Sequence, residues 1–200
     1  MYALITGTTN GIGNSIAKKL LLKKIKVIGI DKSKNKVIKD PNFKPIKLNI
    51  LNEKSVFNFV KKLELKKQLP NYFILNAGTN NYDNKEYFDI INFRKSFDTN
   101  FFGVINFISA IEKLNIKNIK IVSISSVSII VPNINSLGYF SSKLLLSKNF
   151  SLLNFNKTNI YKQVILGPVK TKISRNLKTP HGIGGKIYRA LQIPPEKAAE

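Results

Sequence analysis

A glycine-rich turn close to the start of the chain constrains the fold more than any other feature. Residues 1–6 form a short apolar run that predicts a buried strand, and glycines follow it at Gly7, Gly11 and Gly13. Beyond the turn, residues 16–21 have apolar side chains at helical spacing, with lysines on the opposite side. Strand, glycine turn and helix in this order predict the first half of a βαβ unit.

The rest of the chain repeats this alternation of strand and helix. Helices are predicted around residues 56–63, within 87–114 and at 138–153, and strands at 1–6, 26–31, 46–50, 71–76, 119–125 and 158–166. Such alternation predicts an α/β fold with a doubly wound parallel sheet in three layers, α/β/α. The 200 residues contain no repeat or linker, so we predict one domain over residues 1–200.

The glycine turn predicts a dinucleotide site. Gly7 allows a tight turn, Gly11 lets the backbone approach a pyrophosphate, and Gly13 lets the helix pack closely, while the helix N-terminus offers N–H groups to an anion. Asp31 ends the second predicted strand, where an acid can bond the adenosine ribose hydroxyls. Because an acid repels the additional phosphate of NADP, the sequence favours NAD over NADP, although Lys32 beside it acts in the opposite sense.

Tyr139 and Lys143 stand four residues apart in a predicted helix, so their side chains project from one face. A phenol normally has a pKa near about 10, and a neighbouring ammonium lowers that pKa by favouring the phenolate. The pair therefore predicts a site at which Tyr139 exchanges a proton with a substrate oxygen. The same spacing also arises by chance in a lysine-rich helix, so the pair needs support from other residues.

Composition excludes several classes of function. The chain has no cysteine and one histidine, His181, which excludes thiolate and multi-histidine metal sites. The formal charge of +22 raises the possibility of a nucleic-acid partner, but the lysines are scattered and arginine occurs only at Arg94, Arg175 and Arg189, so we consider that role unlikely. No apolar run reaches the roughly 20 residues that span a membrane, and no signal peptide precedes the first strand. We expect a cytoplasmic protein without a membrane partner.

Together these residues resemble the short-chain dehydrogenase/reductase (SDR) family, in its dehydrogenase branch, over nearly the whole chain. The family's Thr-Gly-x-x-x-Gly-x-Gly turn is matched by Thr6, Gly7, Gly11 and Gly13, and its Tyr-x-x-x-Lys pair by Tyr139 and Lys143. The remaining motifs of the family are matched by Asn76-Ala77-Gly78 after the fourth strand, Asn100 in a helix, Ser126 thirteen residues before the tyrosine, and the segment 166–171.

The resemblance implies a Rossmann fold and an NAD(P)-dependent oxidoreductase that interconverts a secondary alcohol and a carbonyl by hydride transfer. Tyr139 would act as general acid or base, Ser126 would hold the same substrate oxygen, and Lys143 would lower the tyrosine pKa and bind the nicotinamide ribose. Asn100 would anchor a water that links Lys143 to solvent. The residues implied in cofactor binding are Gly7, Thr9, Asn10, Gly11, Ile12, Gly13, Asp31, Asn49, Ile50, Asn76, Ala77, Gly78, Tyr139, Lys143, Gly167, Val169 and Thr171.

The chain departs from the family pattern at a few positions. Asn49 stands where the family has an aspartate that contacts adenine, Leu75 replaces an asparagine, and Leu166 replaces a proline. None of these changes removes a catalytic group. Residues 193–200 resemble the start of the helix before the family's last strand, so we expect the sheet to lack that strand.

The sequence says least about the substrate and the oligomeric state. Residues 127–138 and 171–192 are expected to form the pocket wall and a lid, in which Gly182, Gly184 and Gly185 give mobility and His181 is a loop residue. Ile129, Ile130, Val131 and Phe140 suggest a partly apolar pocket, and Lys170, Lys172 and Arg175 an acidic substrate group. By the resemblance we expect a homodimer or homotetramer that pairs through the helices of Asn100 and Tyr139. A non-catalytic nucleotide-sensing protein on the same fold is the alternative to an enzyme.

Overall fold

The computed structural model of the protein describes residues 1–33, 37–81, 89–131, 134–156, 158–175, 186 and 189–200. Within them, six strands form one sheet in the order β3-β2-β1-β4-β5-β6, and every strand pairing is parallel. The strands are β1 (Tyr2–Thr6), β2 (Lys26–Asp31), β3 (Phe43–Lys47), β4 (Tyr72–Leu75), β5 (Lys120–Ser126) and β6 (Ile160–Leu166). The order reverses direction between β1 and β4, as in a doubly wound sheet.

Helices connect the strands and cover the sheet. They are α1 (Gly11–Leu22), α2 (Glu53–Leu65), α3 (Ile90–Phe97), α4 (Gly103–Lys113), α5 (Leu137–Leu153) and the short α6 (Lys172–Arg175) and α7 (Pro195–Ala198). A π-helical segment, Asp98–Phe102, joins α3 to α4 without a break. The long helix or kinked pair predicted within residues 87–114 is therefore one helix with a π-helical centre.

Two apolar clusters, one on each face of the sheet, explain the three layers. Side chains alternate between the faces of a strand, so neighbouring residues of β1 enter different clusters. Leu4 packs with the cluster that includes α2, α4 and α5, whereas Ile5 packs with the cluster that includes α1. Both side chains are completely buried. The predicted α/β/α Rossmann architecture is confirmed.

The third strand is the clearest error in the predicted elements. The sequence predicts it at residues 46–50, but β3 runs from Phe43 to Lys47 and pairs with β2. Pro45 argued against an earlier start, because proline cannot donate a hydrogen bond within a sheet. In the structure β3 is an edge strand with a single partner, where a missing N–H group is tolerated.

The last residues return to the body of the fold. Val169 forms a parallel bridge with Ile193, and α7 then lies against α1, where Lys19 Nζ is 3.1 Å from a carboxylate oxygen of Glu200. The described residues contain no seventh strand beside β6, in agreement with the prediction from the resemblance. In the predicted lid, His181, Gly182, Gly184 and Gly185 lie outside the described residues.

Candidate functional site

A cavity of about 1410 Å³ lies at the carboxyl ends of the strands. This is the end of a doubly wound sheet at which ligands bind, and the volume exceeds the roughly 300–1,000 Å³ of a typical single-ligand pocket. Most of the sequence-predicted residues line it: Gly7, Thr9, Asn10, Gly11, Ile12, Asp31, Ile50, Asn76, Ala77, Gly78, Ser126, Tyr139, Lys143, Gly167, Val169 and Thr171. Gly13, Asn49 and Asn100 are not among the lining residues.

The glycine turn has the geometry that its sequence predicts. Gly7 and Gly11 have φ values of 77° and 59°, in the left-handed region that favours glycine. A Cβ at Gly7 would lie 3.0 Å from the Cα of Ala77. At Gly13, a Cβ would collide with the carbonyl oxygen of Gly7 and the side-chain amide of Asn76. The first two glycines are therefore required by the backbone and the third by close packing of α1.

The turn is held against the end of β4 by hydrogen bonds. The side-chain amide of Asn76 donates to the carbonyl oxygens of Thr6 at 3.0 Å and Gly7 at 3.3 Å. In return, the hydroxyl oxygen of Thr6 accepts from the backbone N–H groups of Asn76 and Ala77 at 3.0 and 2.9 Å. In the structure Asn76 thus fixes the shape of the turn, which is a different task from the direct cofactor contact implied by the resemblance.

Asp31 lies at the end of β2 and faces the same turn. Its Oδ2 accepts hydrogen bonds from the backbone N–H of Thr8 at 2.7 Å and from the Thr8 hydroxyl at 2.9 Å. Thr8 is completely buried, whereas Asp31 is half-buried and lines the cavity. The carboxylate is therefore fixed in orientation at the wall of the cavity.

Tyr139 and Lys143 line the same cavity and lie close to each other. Lys143 is 4% exposed, its ammonium donates a 2.6 Å hydrogen bond to the carbonyl oxygen of Ile124, and Nζ lies 5.8 Å from the centre of the Tyr139 ring. Burial removes the ammonium from water and lowers the pKa of Lys143 to about 8. The predicted proximity of a cation to the phenol is present.

Ser126 ends β5 and also lines the cavity. Its Oγ accepts a 3.2 Å hydrogen bond from the backbone N–H of Ser128, so the hydroxyl proton remains available to another acceptor. Of the other serines nearby, Ser125 and Ser128 also line the cavity, whereas Ser123 is completely buried and does not. Ser126 is distinguished from these neighbours by its place thirteen residues before Tyr139, and its role stays a prediction.

Asn100 lies behind the cavity wall, in the π-helical segment, and is completely buried. Its Oδ1 accepts from the backbone N–H of Thr79 at 2.8 Å, and its Nδ2 donates to the Thr79 carbonyl at 2.9 Å and to Ser142 Oγ at 3.1 Å. Because these bonds engage the amide, a water anchored by Asn100 would bond to its backbone. Short π-helical segments often occur at functional sites.

Some lining residues were not predicted. Asn49 is exposed, and its amide oxygen accepts from the backbone N–H of Leu51 at 3.2 Å. Leu51 lines the cavity, whereas Asn49 does not. Residues in the loop after β4 and in the turn before Asn100 also line the cavity, although no motif marks them; they are Asn80, Asn81, Lys95, Asp98 and Thr99. The sequence could have indicated them only through their closeness to the predicted motifs at residues 76–78 and 100. The side chains of Lys172 and Arg175 lie outside the description.

Comparison with known proteins identifies the family. The family model described as short chain dehydrogenase matches residues 1–181. The chain belongs to this family. A curated relative, the 3-oxoacyl-[acyl-carrier-protein] reductase FabG of Buchnera aphidicola, is 28% identical to this short chain dehydrogenase over 193 residues, which cover 88% of this chain and 77% of the relative.

Solved structures share the fold of this short chain dehydrogenase. A short chain dehydrogenase from Burkholderia cenocepacia, in complex with NADP, superposes with a TM-score of 0.75 at 22% identity and covers 99% of this chain and 80% of its own. A 3-ketoacyl-(acyl-carrier-protein) reductase from Brucella melitensis, complexed with NADH, gives a TM-score of 0.81 at 18% identity, with 99% and 87% covered. The TM-scores establish a common fold.

The cavity of this short chain dehydrogenase fits a dinucleotide. Gly11 faces Thr171 and leaves the space between them without a side chain. A Cβ at Gly11 would lie 3.4 Å from Cγ2 of Thr171. Thr9 in the same turn has a buried hydroxyl without a hydrogen-bond partner, and the first turn of α1 carries no acid to oppose an anion. Within the described ranges there is no cluster of metal-ligating side chains and no helix long and apolar enough to cross a membrane. The cytoplasmic location stays a prediction.

Proposed function

We propose that this short chain dehydrogenase binds a nicotinamide dinucleotide, NAD in preference to NADP, and interconverts a secondary alcohol and a carbonyl. The observation that carries the proposal is that Ser126, Tyr139 and Lys143 line the same cavity as the glycine turn and Asp31. A proton-transfer group and a dinucleotide cradle in one cavity are the two parts that hydride transfer to a carbonyl requires.

The residues divide the chemistry between them. When bound, the nicotinamide ring supplies or accepts the hydride. Tyr139 transfers a proton to or from the substrate oxygen, and Ser126 donates its remaining hydroxyl proton to that oxygen as negative charge develops. Lys143 favours the phenolate of Tyr139 through its charge and bonds the nicotinamide ribose. Tyr139 and Ser126 thus act on the substrate oxygen directly, and Lys143 acts through Tyr139 and the cofactor.

Preference for NAD follows from Asp31. Its Oδ2 is engaged by Thr8, which turns the carboxylate toward the cavity and leaves Oδ1 to accept from a ribose hydroxyl. The 2′-phosphate of NADP would bring a second negative charge to this carboxylate. Lys32 also lines the cavity and weakens this discrimination, so we expect a preference rather than exclusion.

The curated relative indicates which substrates to test first. Its name describes reduction of a 3-oxoacyl group carried by an acyl carrier protein. Apolar side chains of Val131, Phe140 and Leu191 line the cavity together with the polar Asn80 and Ser128, which suits a substrate with both an acyl chain and polar groups. A 3-oxoacyl thioester is therefore the first candidate within the wider class of carbonyl compounds.

The proposed assembly is a homodimer or homotetramer. On the two helices expected to pair, Phe107 and Phe150 are buried in the core, whereas Leu145 on α5 is 41% exposed. Phe102, in the π-helical segment, is 48% exposed. Light scattering on the purified protein would measure the mass; a monomer at micromolar concentration would contradict the proposal.

A spectrophotometric screen tests the proposed function. The purified protein is mixed with NADH or NADPH and 3-oxoacyl thioesters or simple ketones, and with NAD or NADP and secondary alcohols, while nicotinamide absorbance is followed. We expect turnover with NAD(H) at a higher kcat/KM than with NADP(H). Binding of NADH without turnover of any compound would favour the nucleotide-sensing alternative. Absence of binding would contradict both readings.

A further inference from the structure

A chain of hydrogen bonds behind the cavity joins the loop after β4, the π-helical segment and α5. It runs from the backbone of Thr79 through the amide of Asn100 and the hydroxyl of Ser142 to the backbone carbonyl of Tyr139. Asn100 and Ser142 are both completely buried. Ser142 lies within the Tyr-x-x-x-Lys motif, at a position where the motif specifies no residue type.

The direction of every bond in this chain is determined by Thr79. Its N–H donates to Asn100 Oδ1 and its carbonyl accepts from Nδ2, so the two ends of the amide cannot be exchanged. Nδ2 then donates to Ser142 Oγ at 3.1 Å, which makes the serine oxygen an acceptor. The hydroxyl proton of Ser142 is left for the Tyr139 carbonyl at 2.7 Å. Asn100 and Tyr139 are therefore connected by one defined path.

A second contact limits the position of the same helix. Gly138, the residue before Tyr139, packs so closely on α3 that a Cβ would lie 2.5 Å from the carbonyl oxygen of Phe93. This contact fixes how near α5 approaches α3. The bond between Asn100 and Ser142 lies one turn further along α5 and opposes sliding or rotation of the helix. Gly138 and Ser142 therefore flank Tyr139 on α5, and Ser142 directly precedes Lys143.

We propose that Ser142 is a positioning residue for the proton transfer: its hydroxyl couples Asn100 to Tyr139 and holds the phenol in place relative to Lys143 and the cofactor. Ser142 does not touch the substrate, so its effect passes through Tyr139. This inference rests on the proposed function, because it assigns a role within that reaction.

Kinetics of Ser142→Ala test the inference, with the substrate and cofactor pair that the wild-type protein turns over. Displacement of a reacting group by about 1 Å costs up to a hundredfold in rate, so we expect kcat to fall roughly ten- to a hundredfold with KM changed less than about twofold. If the phenol is less well held near the ammonium, its ionised form is less favoured. The acidic limb of the kcat profile for alcohol oxidation then moves to higher pH.

Matched variants separate positioning from general loss of structure. Ser151→Ala removes a hydroxyl from the same helix, where Ser151 Oγ donates to the carbonyl of Ser147 at 3.2 Å, and should leave kcat and its pH profile unchanged. Ser142→Thr keeps the hydroxyl and should recover most of the lost rate. Ser142→Cys has nearly the size of serine with a weak donor, so it should resemble Ser142→Ala and serves if the alanine variant does not fold.

The outcomes are distinct. An active wild-type protein whose Ser142→Ala and Ser142→Cys variants retain its kcat and pH profile would overturn the role of Ser142 alone. An equal loss in Ser151→Ala would also overturn it. A wild-type protein that binds NADH and turns over no compound would overturn the proposed function, and the inference with it.

Discussion

The ammonium of Lys143 is buried beside the carbonyl oxygen of Ile124, to which it donates a 2.6 Å hydrogen bond. Burial penalises the charged form, and the pKa of Lys143 falls from 10.5 to about 8. At neutral pH the folded protein therefore holds a charge that costs roughly 3 kcal/mol relative to the unfolded chain. Its position beside Tyr139 gives that cost a functional explanation.

We predict that Lys143→Met stabilises the protein at pH 7 while it abolishes turnover. Below pH 8 the unfolded and folded states both carry the proton, and the folded state bears the full penalty. Between about pH 8 and 10.5 the unfolded chain binds more protons, so wild-type stability rises with pH. Urea denaturation should show the variant more stable by roughly 1–3 kcal/mol at pH 7, with the difference shrinking by pH 10.

The control for this prediction is Lys148→Met, on the exposed side of the same helix, which should change stability by less than about 0.5 kcal/mol. A Lys143→Met variant that is less stable than wild type at pH 7, or a difference that does not vary with pH, would contradict the argument.

We predict that Asp31→Asn shifts cofactor preference toward NADP. The amide oxygen can still accept from Thr8, so the glycine turn keeps its support while the negative charge is removed. The ratio of kcat/KM for NAD to that for NADP should fall roughly tenfold. Glu64→Gln removes the same charge from a residue outside the cavity lining and should leave the ratio unchanged. An unchanged ratio in Asp31→Asn would remove the argument for NAD.

We predict that Gly13→Ala destabilises the protein. A Cβ there collides with the carbonyl oxygen of Gly7 and the amide of Asn76, neither of which can move without opening the turn. Overpacking of this kind costs roughly 1–3 kcal/mol, more than the helix gains from alanine. Gly167→Ala is the matched change, since its Cβ would meet nothing within 4 Å, and should be neutral in thermal denaturation. Equal melting temperatures for the two variants would contradict the packing argument.

The sequence predicted the parts of the fold that local patterns determine. The second strand was placed at its observed bounds, Lys26–Asp31, because an apolar run between a lysine-rich helix end and an acid leaves little choice. The third strand was misplaced because Pro45 reads as a break unless one knows that β3 has a single neighbour. Strand order is a property of the assembled sheet, which a local pattern does not contain.

In the site, too, local motifs predict some residues, and other residues are recognised only in the folded structure. Gly7, Ser126, Tyr139 and Lys143 belong to motifs with fixed spacing, and all four line the cavity. Ser142 matters through Asn100, which is 42 residues away in sequence. Such a contact exists only once α5 and the π-helical segment are packed together, so no spacing in the sequence could indicate it.

Tyr139 is the residue that we propose transfers the proton. Tyr139→Phe removes one oxygen atom, and the loss of a general acid or base costs roughly 10²–10⁴ in rate. Tyr72→Phe is its matched control, because Tyr72 also neighbours a lysine, with Lys120 Nζ donating to its hydroxyl at 3.5 Å, but does not line the cavity.

The decisive measurement is kcat of Tyr139→Phe beside Tyr72→Phe and wild type, with the NADH Kd of each protein determined by fluorescence. The account predicts that kcat of Tyr139→Phe falls by at least about a hundredfold while its NADH Kd stays within about twofold, and that Tyr72→Phe matches wild type. A Tyr139→Phe protein that keeps wild-type kcat would contradict it.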